Sequence, residues 1–477
     1  MLYKTAISPC FQPFSTKDII LYICFLNLVL RFSNQINIIP LRKMNIKHQP
    51  VHNTRAILAC ISAGLFFFYT IFQKVTFNAI SADLISKFHL SVTGLGGISS
   101  AYLYANALWL IPGGILLEKF SSRIVTLVFV FACAVSSFVF AKSSSVLLDI
   151  IMRFIGGLGS AMSLLISLRL AARWFPDHSA RVIGLLVSLG MSAGIVANAP
   201  FSVLMQHVGY QNSLIYVGYF GLVIGTFMLF FLHDRADVDS KVEINFSSVC
   251  RDIKNVACNM QNWKSGVCIG LMNLPIFILA SLWGNLYLMH TAGYTSDKAT
   301  LVISMIFVGE ITGAPIVGWI SDKIQNRKFV LLMGSILSLM MTVFIMDAEM
   351  LSATTLSILF FLLGFFLSAQ VIGYSVIAES NDASVSSTAS GFGSSIVNLI
   401  GALCQVLFPL LLTLHFTAIG QSAYSYQTAF LMFPVAFLMS IALIYRMKKT
   451  EISSQKVSND FHAMGVEHSE EKLLSHS

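Results

Sequence analysis

What this chain has least of is charge. Asp, Glu, Lys and Arg make up only 11% of its 477 residues, whereas an ordinary soluble domain carries about 25%. A water-soluble globular fold is excluded on that ground. Paired cysteines are missing as well. Cys60, Cys133, Cys268 and Cys404 lie in apolar runs, and Cys250 and Cys258 lie in a central polar stretch. They read as free thiols, which excludes a disulfide framework or a zinc site. No Walker-type phosphate loop, nucleophile–base constellation or metal-ligand spacing occurs, so neither an enzyme nor a cofactor is expected. The formal charge of +8 is not a nucleic-acid signature, because the cations cluster in short loops between apolar runs.

What the chain does have is apolar length. From Arg55 onward there are twelve runs of about 20 apolar residues, each able to cross a bilayer. The first six lie near 55–77, 94–117, 124–141, 146–172, 182–204 and 212–232; the second six lie near 265–288, 298–319, 328–346, 351–377, 389–412 and 427–446. The expected architecture is an all-α membrane protein with twelve transmembrane helices in two six-helix pseudo-symmetric halves. These are residues 51–232 and 265–449, joined by a cytoplasmic linker, 233–264. An amphipathic helix from about Val249 to Trp263 is expected on the membrane surface. The polar tail, 450–477, is expected to be disordered. Residues 1–50 form an extension whose apolar segment, Ile19 to Leu30, is about half the length of a span; Met44 is read as the natural start.

Orientation follows from lysine and arginine. Lys119, Arg123, Arg173, Arg181, Arg235, Arg251, Lys264, Lys323, Arg327 and Lys328 follow even-numbered spans, whereas the opposite loops carry Lys87, Lys142 and Lys298. Both termini are therefore expected on the cytoplasmic side of a bacterial inner membrane. The loop near Glu379 and Asp382 is the exception, acidic on the same side.

One loop pattern occurs twice. Gly114, Glu118, Lys119 and Arg123 recur as Gly318, Asp322, Lys323 and Arg327, each displaced by 204 positions. Both copies follow the second span of their half, which marks a duplicated unit. The glycine is expected to let two helices approach, and the cations to hold the turn at the headgroups. The paired pattern resembles the loop signature of the major facilitator superfamily, with Ser121 and Gln325 standing where the family has a second glycine. The fourth span, with Arg153, Gly157 and Gly159, resembles that family's fourth-helix motif. Asp149, one turn earlier on the same face, is expected to pair with Arg153. In the fifth span, Ile195 and Asn198-Ala199 replace the proline and paired glycines of the family's antiporters. Short strings at Phe72-Gln73, Phe77-Asn78, Arg173 to Pro176, Met272 to Pro275 and Leu282 to Gly284 resemble phagosomal nutrient transporters and lysosomal dipeptide carriers.

The resemblance implies a secondary active transporter that binds a small polar organic solute, such as an amino acid, small peptide or nucleoside, at the bilayer midplane between rocking halves. With no nucleotide site, the coupling ion is expected to be a proton. Partners are the solute, that ion and the lipid bilayer; the chain is expected to be monomeric and to bind no nucleic acid. An efflux antiporter for drugs or siderophores is the alternative on this fold, and a non-transporting nutrient sensor is the alternative of another class. Polar groups deep in the spans are the candidates. Glu310 lies twelve residues before Asp322, about 18 Å along a helix. It is the expected proton-coupling group, and its repeat mate is Asn106. Lys74, near the outer end of the first span, is expected either to bind a carboxylate or to snorkel to the interface. Tyr69, Gln73, Tyr102, Tyr104, Trp283 and Asn285 complete the expected cavity lining, with about half of such residues serving helix packing. Arg153 has a structural role or a ligand-binding one.

Overall fold

The computed structural model describes residues 50–175, 179–232, 246–346, 351–382, 385–419 and 423–448. The expectations for the N-terminal extension and the tail lie outside these residues, as do the side chains of Glu118, Lys119 and Arg181. The described chain is almost entirely helical. In the first half, α1 (Pro50–Phe88), α2 (Val92–Lys119), α3 (Ser122–Lys142) and α4 (Val146–Trp174) are followed by α5 (Ser179–Phe231). A surface helix, α6 (Phe246–Cys258), precedes the second half. There α7 (Met260–Met272), a π-helical segment (Ile276–Trp283) and α8 (Gly284–Thr291) form one crossing. Then come α9 (Ser296–Ile324), α10 (Arg327–Ile345), α11 (Ala353–Leu367), a 3-10 turn (Ser368–Gln370) and α12 (Val371–Glu379). The last elements are α13 (Ser386–Ile419), α14 (Ala423–Phe430) and α15 (Met432–Tyr445).

Among the described residues, eleven stretches are long and apolar enough to cross a membrane. One of them, the 50-residue stretch Val182–Phe231, doubles back at Gly209, whose φ of 78° only glycine adopts freely. The crossings therefore number twelve. The first is longer than its apolar run implied, because Lys74, Asp83 and Lys87 continue the helix to Phe88. The surface helix begins and ends earlier than expected. Asn259 interrupts it and caps α7, its side chain accepting from Gln261 N at 3.0 Å, so Trp263 belongs to α7.

The short turns are set by caps. Ser91 accepts from Gly94 N at 3.1 Å at the head of α2, and Asn326 accepts from Phe329 N at 3.1 Å at the head of α10. The two repeated loops close differently. Ser121 caps α3 through Ile124 N at 3.4 Å, whereas Gln325 takes up the left-handed conformation, φ 57°. The first loop's Arg123 donates to Leu229 O at 2.6 Å. The second loop's Arg327 donates to Asp322 Oδ1 at 2.6 Å and to Glu379 Oε1 at 3.2 Å. That pairing explains why an acidic residue is tolerated in a basic layer.

The glycine expectation holds only in part. A Cβ on Gly157 would stand 2.1 Å from Tyr102 O, so α4 lies against α2 only because Gly157 is bare. Gly114 and Gly318 are different: a Cβ on either would meet open space. Their expected close helix approach is corrected, since among the described residues nothing lies within 4 Å of either Cβ position.

The halves meet along α2 against α13 and α5 against α9. Gly96 lies on the carbonyl of Gln405, 2.6 Å from where its Cβ would stand. Each of these four helices contains a proline: Pro112, Pro200, Pro315 and Pro409. Polar latches tie the halves at the end that carries the α1–α2 turn. Ser202 Oγ donates to Asp297 Oδ1 at 2.8 Å, and Gln206 donates to the other oxygen of Asp297. Asn78 donates to Asn198 Oδ1 at 3.0 Å in its own half and accepts from the backbone of Asn285 at 3.2 Å in the other.

Candidate functional site

Glu310 is fourteen residues from either end of α9, about 21 Å of helix on each side, and is 4% exposed. What reaches it is set by glycine. A Cβ on Gly364 would stand 2.0 Å from Ile306 O, so the tenth span lies directly on α9. Where that span tightens into its 3-10 turn, Gln370 Nε2 donates to Glu310 Oε1 at 2.9 Å. The other carboxylate oxygen, Oε2, has no hydrogen-bond partner among the described residues.

Lys74 approaches from the other half. Since α1 runs to Phe88, Lys74 is near the middle of its span, which corrects the expectation that it sits at the outer end within reach of the interface. Its Nζ lies 5.4 Å over the ring of Phe277 in the π segment. It interacts electrostatically with Glu310 and with Arg153 without a direct ion pair to the acid.

Arg153 does not pair with Asp149, contrary to expectation. Its Nη1 donates to Gln73 O at 2.9 Å, and its guanidinium lies 4.5 Å from the Phe77 ring and 4.7 Å from the Tyr102 ring. Position one turn apart puts both residues on a common face, but the planar guanidinium gains more by stacking sideways between rings on α1 and α2. Asp149 is buried within electrostatic reach of Lys87 instead. Among the described residues, no carboxylate forms an ion pair with Arg153.

Several expected lining residues turn into their own half. Gln73 Nε2 donates to Ser137 Oγ at 2.6 Å, Cys133 O at 2.9 Å and Tyr69 OH at 3.2 Å. Tyr102 OH donates to Thr70 O at 2.6 Å. Behind Arg153, a small cavity of about 30 Å³ lies between Gln73, Tyr102, Ser136, Ser137 and Gly156, room for a water or two. Tyr104 is partly buried against an apolar cluster that includes Phe277, and Asn106 is buried at the repeat position of Glu310. Trp283 is fully buried, 5.9 Å from the Phe408 ring. Asn285 belongs to the latch, its side chain donating to Ser296 Oγ at 3.0 Å.

The structure thus brings together Lys74, Glu310, Gln370 and Phe277, with Arg153 and Tyr102 behind Lys74. Sequence reasoning missed Phe277, and Gln370 was only one of several amides in apolar runs. The available signal for Gln370 was the low chance of an amide in so apolar a stretch.

Twelve crossings with charges from both halves meeting at mid-depth define a polytopic membrane protein of the two-half carrier type. The sequence profile of the Major Facilitator Superfamily matches residues 62–265 and again residues 265–467, and the chain belongs to that superfamily. It is 24% identical over 383 residues to the probable galactarate/D-glucarate transporter GudP of Escherichia coli (strain K12), covering 71% of this chain and 82% of that protein. It is also 24% identical over 375 residues to the membrane sensor protein UhpC of the same organism, covering 71% and 81%. Among solved structures, a bacterial homologue of the human lysosomal transporter Spinster, inward-facing and unoccupied, aligns with a TM-score of 0.68 at 13% identity, covering 84% of this chain and 97% of that one. The nucleoside transporter NupG aligns with a TM-score of 0.67 at 14% identity, covering 82% and 99%. At these identities the solved structures share the fold.

Proposed function

We propose that the protein is a proton-coupled uptake transporter for a small polar organic solute bearing a carboxylate. One observation carries this reading: Lys74 from one half and Glu310 from the other lie within electrostatic reach of each other at mid-depth. When Glu310 holds a proton, Lys74 is left as an unneutralised cation, and an anionic solute compensates it. When Glu310 is ionised, it competes with the solute for Lys74. Proton and solute therefore favour each other's binding, which is what symport requires. A carboxylate solute covers amino acids and small peptides as well as sugar acids, the class named in GudP; a nucleoside has no anionic group to neutralise Lys74. Roles for Tyr102, Tyr104, Asn106 and Trp283 in the lining belong to the same proposal, as does membership of the phagosomal or lysosomal subgroup.

Residues 51–232 and 265–449 act as the two rocking units, with the basic repeated loops on the cytoplasmic side. The double match of the family profile supports that division. The latches of Asn78 and Asp297 hold the opposite end shut, so the site opens toward the loops.

The test begins with a thermal-shift screen of the purified protein against carboxylate and non-carboxylate solutes. A solute at a hundred times its dissociation constant stabilises the fold by about 2.7 kcal/mol. Stabilisation only by solutes without a carboxylate would overturn the assignment. The likeness to UhpC favours a second reading, a sensor that binds solute without moving it. Counterflow of a labelled solute in proteoliposomes separates the two, since a sensor gives none.

A further inference from the structure

We propose that Gln370 is a proton-state clamp: protonated Glu310 closes a two-hydrogen-bond ring with the Gln370 amide, a ring the ionised form cannot make. The inference rests on the reading of Glu310 as the coupling group. Glu310 and Gln370 are both 4% exposed and already share one bond, Nε2 to Oε1 at 2.9 Å. Each keeps one oxygen with no partner among the described residues, Glu310 Oε2 and Gln370 Oε1.

Chemistry settles what these two oxygens do. An ionised carboxylate has only acceptors, and so does an amide oxygen. Two buried acceptors on groups joined this closely repel each other and both stay unsatisfied. A proton bonding to Oε2 turns that oxygen into a donor. Oε2–H then donates to Gln370 Oε1 while Nε2–H continues to donate to Oε1 of the acid. The two facing oxygens, Glu310 Oε2 and Gln370 Oε1, now satisfy each other, with no water and no third residue between them.

The surroundings leave this pair largely to itself. Among the described residues, Lys74 on α1 is the charged group within electrostatic reach of Glu310. Asp297 is thirteen residues away on α9 itself. His290 lies on the last turn of α8, Arg327 and Lys328 on the first turn of α10, and Glu379 at the end of α12, all near helix ends. Lys74 opposes the ring by favouring the ionised acid, and an anionic solute that occupies Lys74 removes the opposition. Gln370 is therefore a positioning residue that rewards protonation once the solute has arrived.

Infrared difference spectroscopy of the full-length protein in lipid vesicles, acid minus neutral pH, tests this directly. The Glu310 band is the acid C=O stretch that disappears in Glu310→Gln. In the native protein it should lie at the low wavenumber of a doubly hydrogen-bonded acid. In Gln370→Met it should shift upward to the free-acid position. A native band already at the free-acid position, or one unmoved by Gln370→Met, overturns the clamp while leaving Glu310 as the coupling group. Absence of any band lost in Glu310→Gln overturns the coupling assignment too. Should Gln370→Met fail to insert, Gln370→Asn keeps the amide one methylene short of the acid. It should give the same upward shift, and the position of the native band decides independently.

Discussion

At mid-depth the two halves carry opposite chemistry. The N-terminal half holds Lys74 and Arg153, with an amide, Asn106, at the position where the C-terminal half has its acid, Glu310. The repeat kept its loop pattern and helix order but divided its charges. Charges of one sign on each side of a cleft let the attraction between the halves depend on what lies between them. A symmetric site with two acids or two lysines would only repel.

That division can be broken most severely at the acid. Glu310→Gln, which mimics the protonated form, should abolish accumulation driven by a proton gradient. Exchange of labelled solute at equal pH should survive, because it moves no net proton. Both assays in the same proteoliposomes check this, and undiminished accumulation would reduce Glu310 to a structural group.

Next comes the cation. Lys74→Met should weaken solute binding by about 30-fold or more, since removing one partner of a buried charged contact costs about 2–5 kcal/mol. Arg153→Lys sharpens the contrast. Losing a guanidinium stacked between two rings should lower stability by about 1–3 kcal/mol but change solute affinity little. Isothermal titration and thermal unfolding separate the two effects; equal loss of affinity in both variants would place Arg153 in the solute site.

The glycines give a smaller and more graded comparison. Gly157→Val places atoms where Tyr102 O already lies and should destabilise by about 1–3 kcal/mol. Gly114→Ala meets open space and should stay within about 0.5 kcal/mol of native. A modest effect is expected at the latch. Ser202→Ala removes one hydrogen bond to Asp297, worth about 1 kcal/mol, and should shift the balance of open states about fivefold. Cysteine labelling from the two sides of the membrane reads that balance.

The sequence made the spans legible because twenty apolar residues in a row have few alternatives in water or lipid. Glu310 was legible for the complementary reason: an acid fourteen residues from either helix end has no route to water along its own helix. What stayed hidden was what each buried polar group touches. Gln370 is sixty residues from Glu310, and helical periodicity carries no information across that gap. The Asp149–Arg153 pairing failed because spacing places two Cβ atoms on one face but does not aim a long side chain. Gly114 misled because a glycine flanked by apolar residues looks the same whether a neighbour fills the space or leaves it open.

The four prolines at the crossing helices have a mechanical meaning. Proline has no N–H, so Pro112, Pro200, Pro315 and Pro409 each leave the carbonyl four residues earlier without its helical donor. One of these carbonyls is that of Gln405, the same oxygen on which Gly96 rests. A helix with a missing rung bends there at low cost and stays stiff elsewhere. Strain imposed on the bundle will therefore collect at four soft points, one in each helix that joins the halves, while the segments between them behave as rods. The stiffness of the molecule is distributed so that the lines along which its halves touch are also the lines along which it yields.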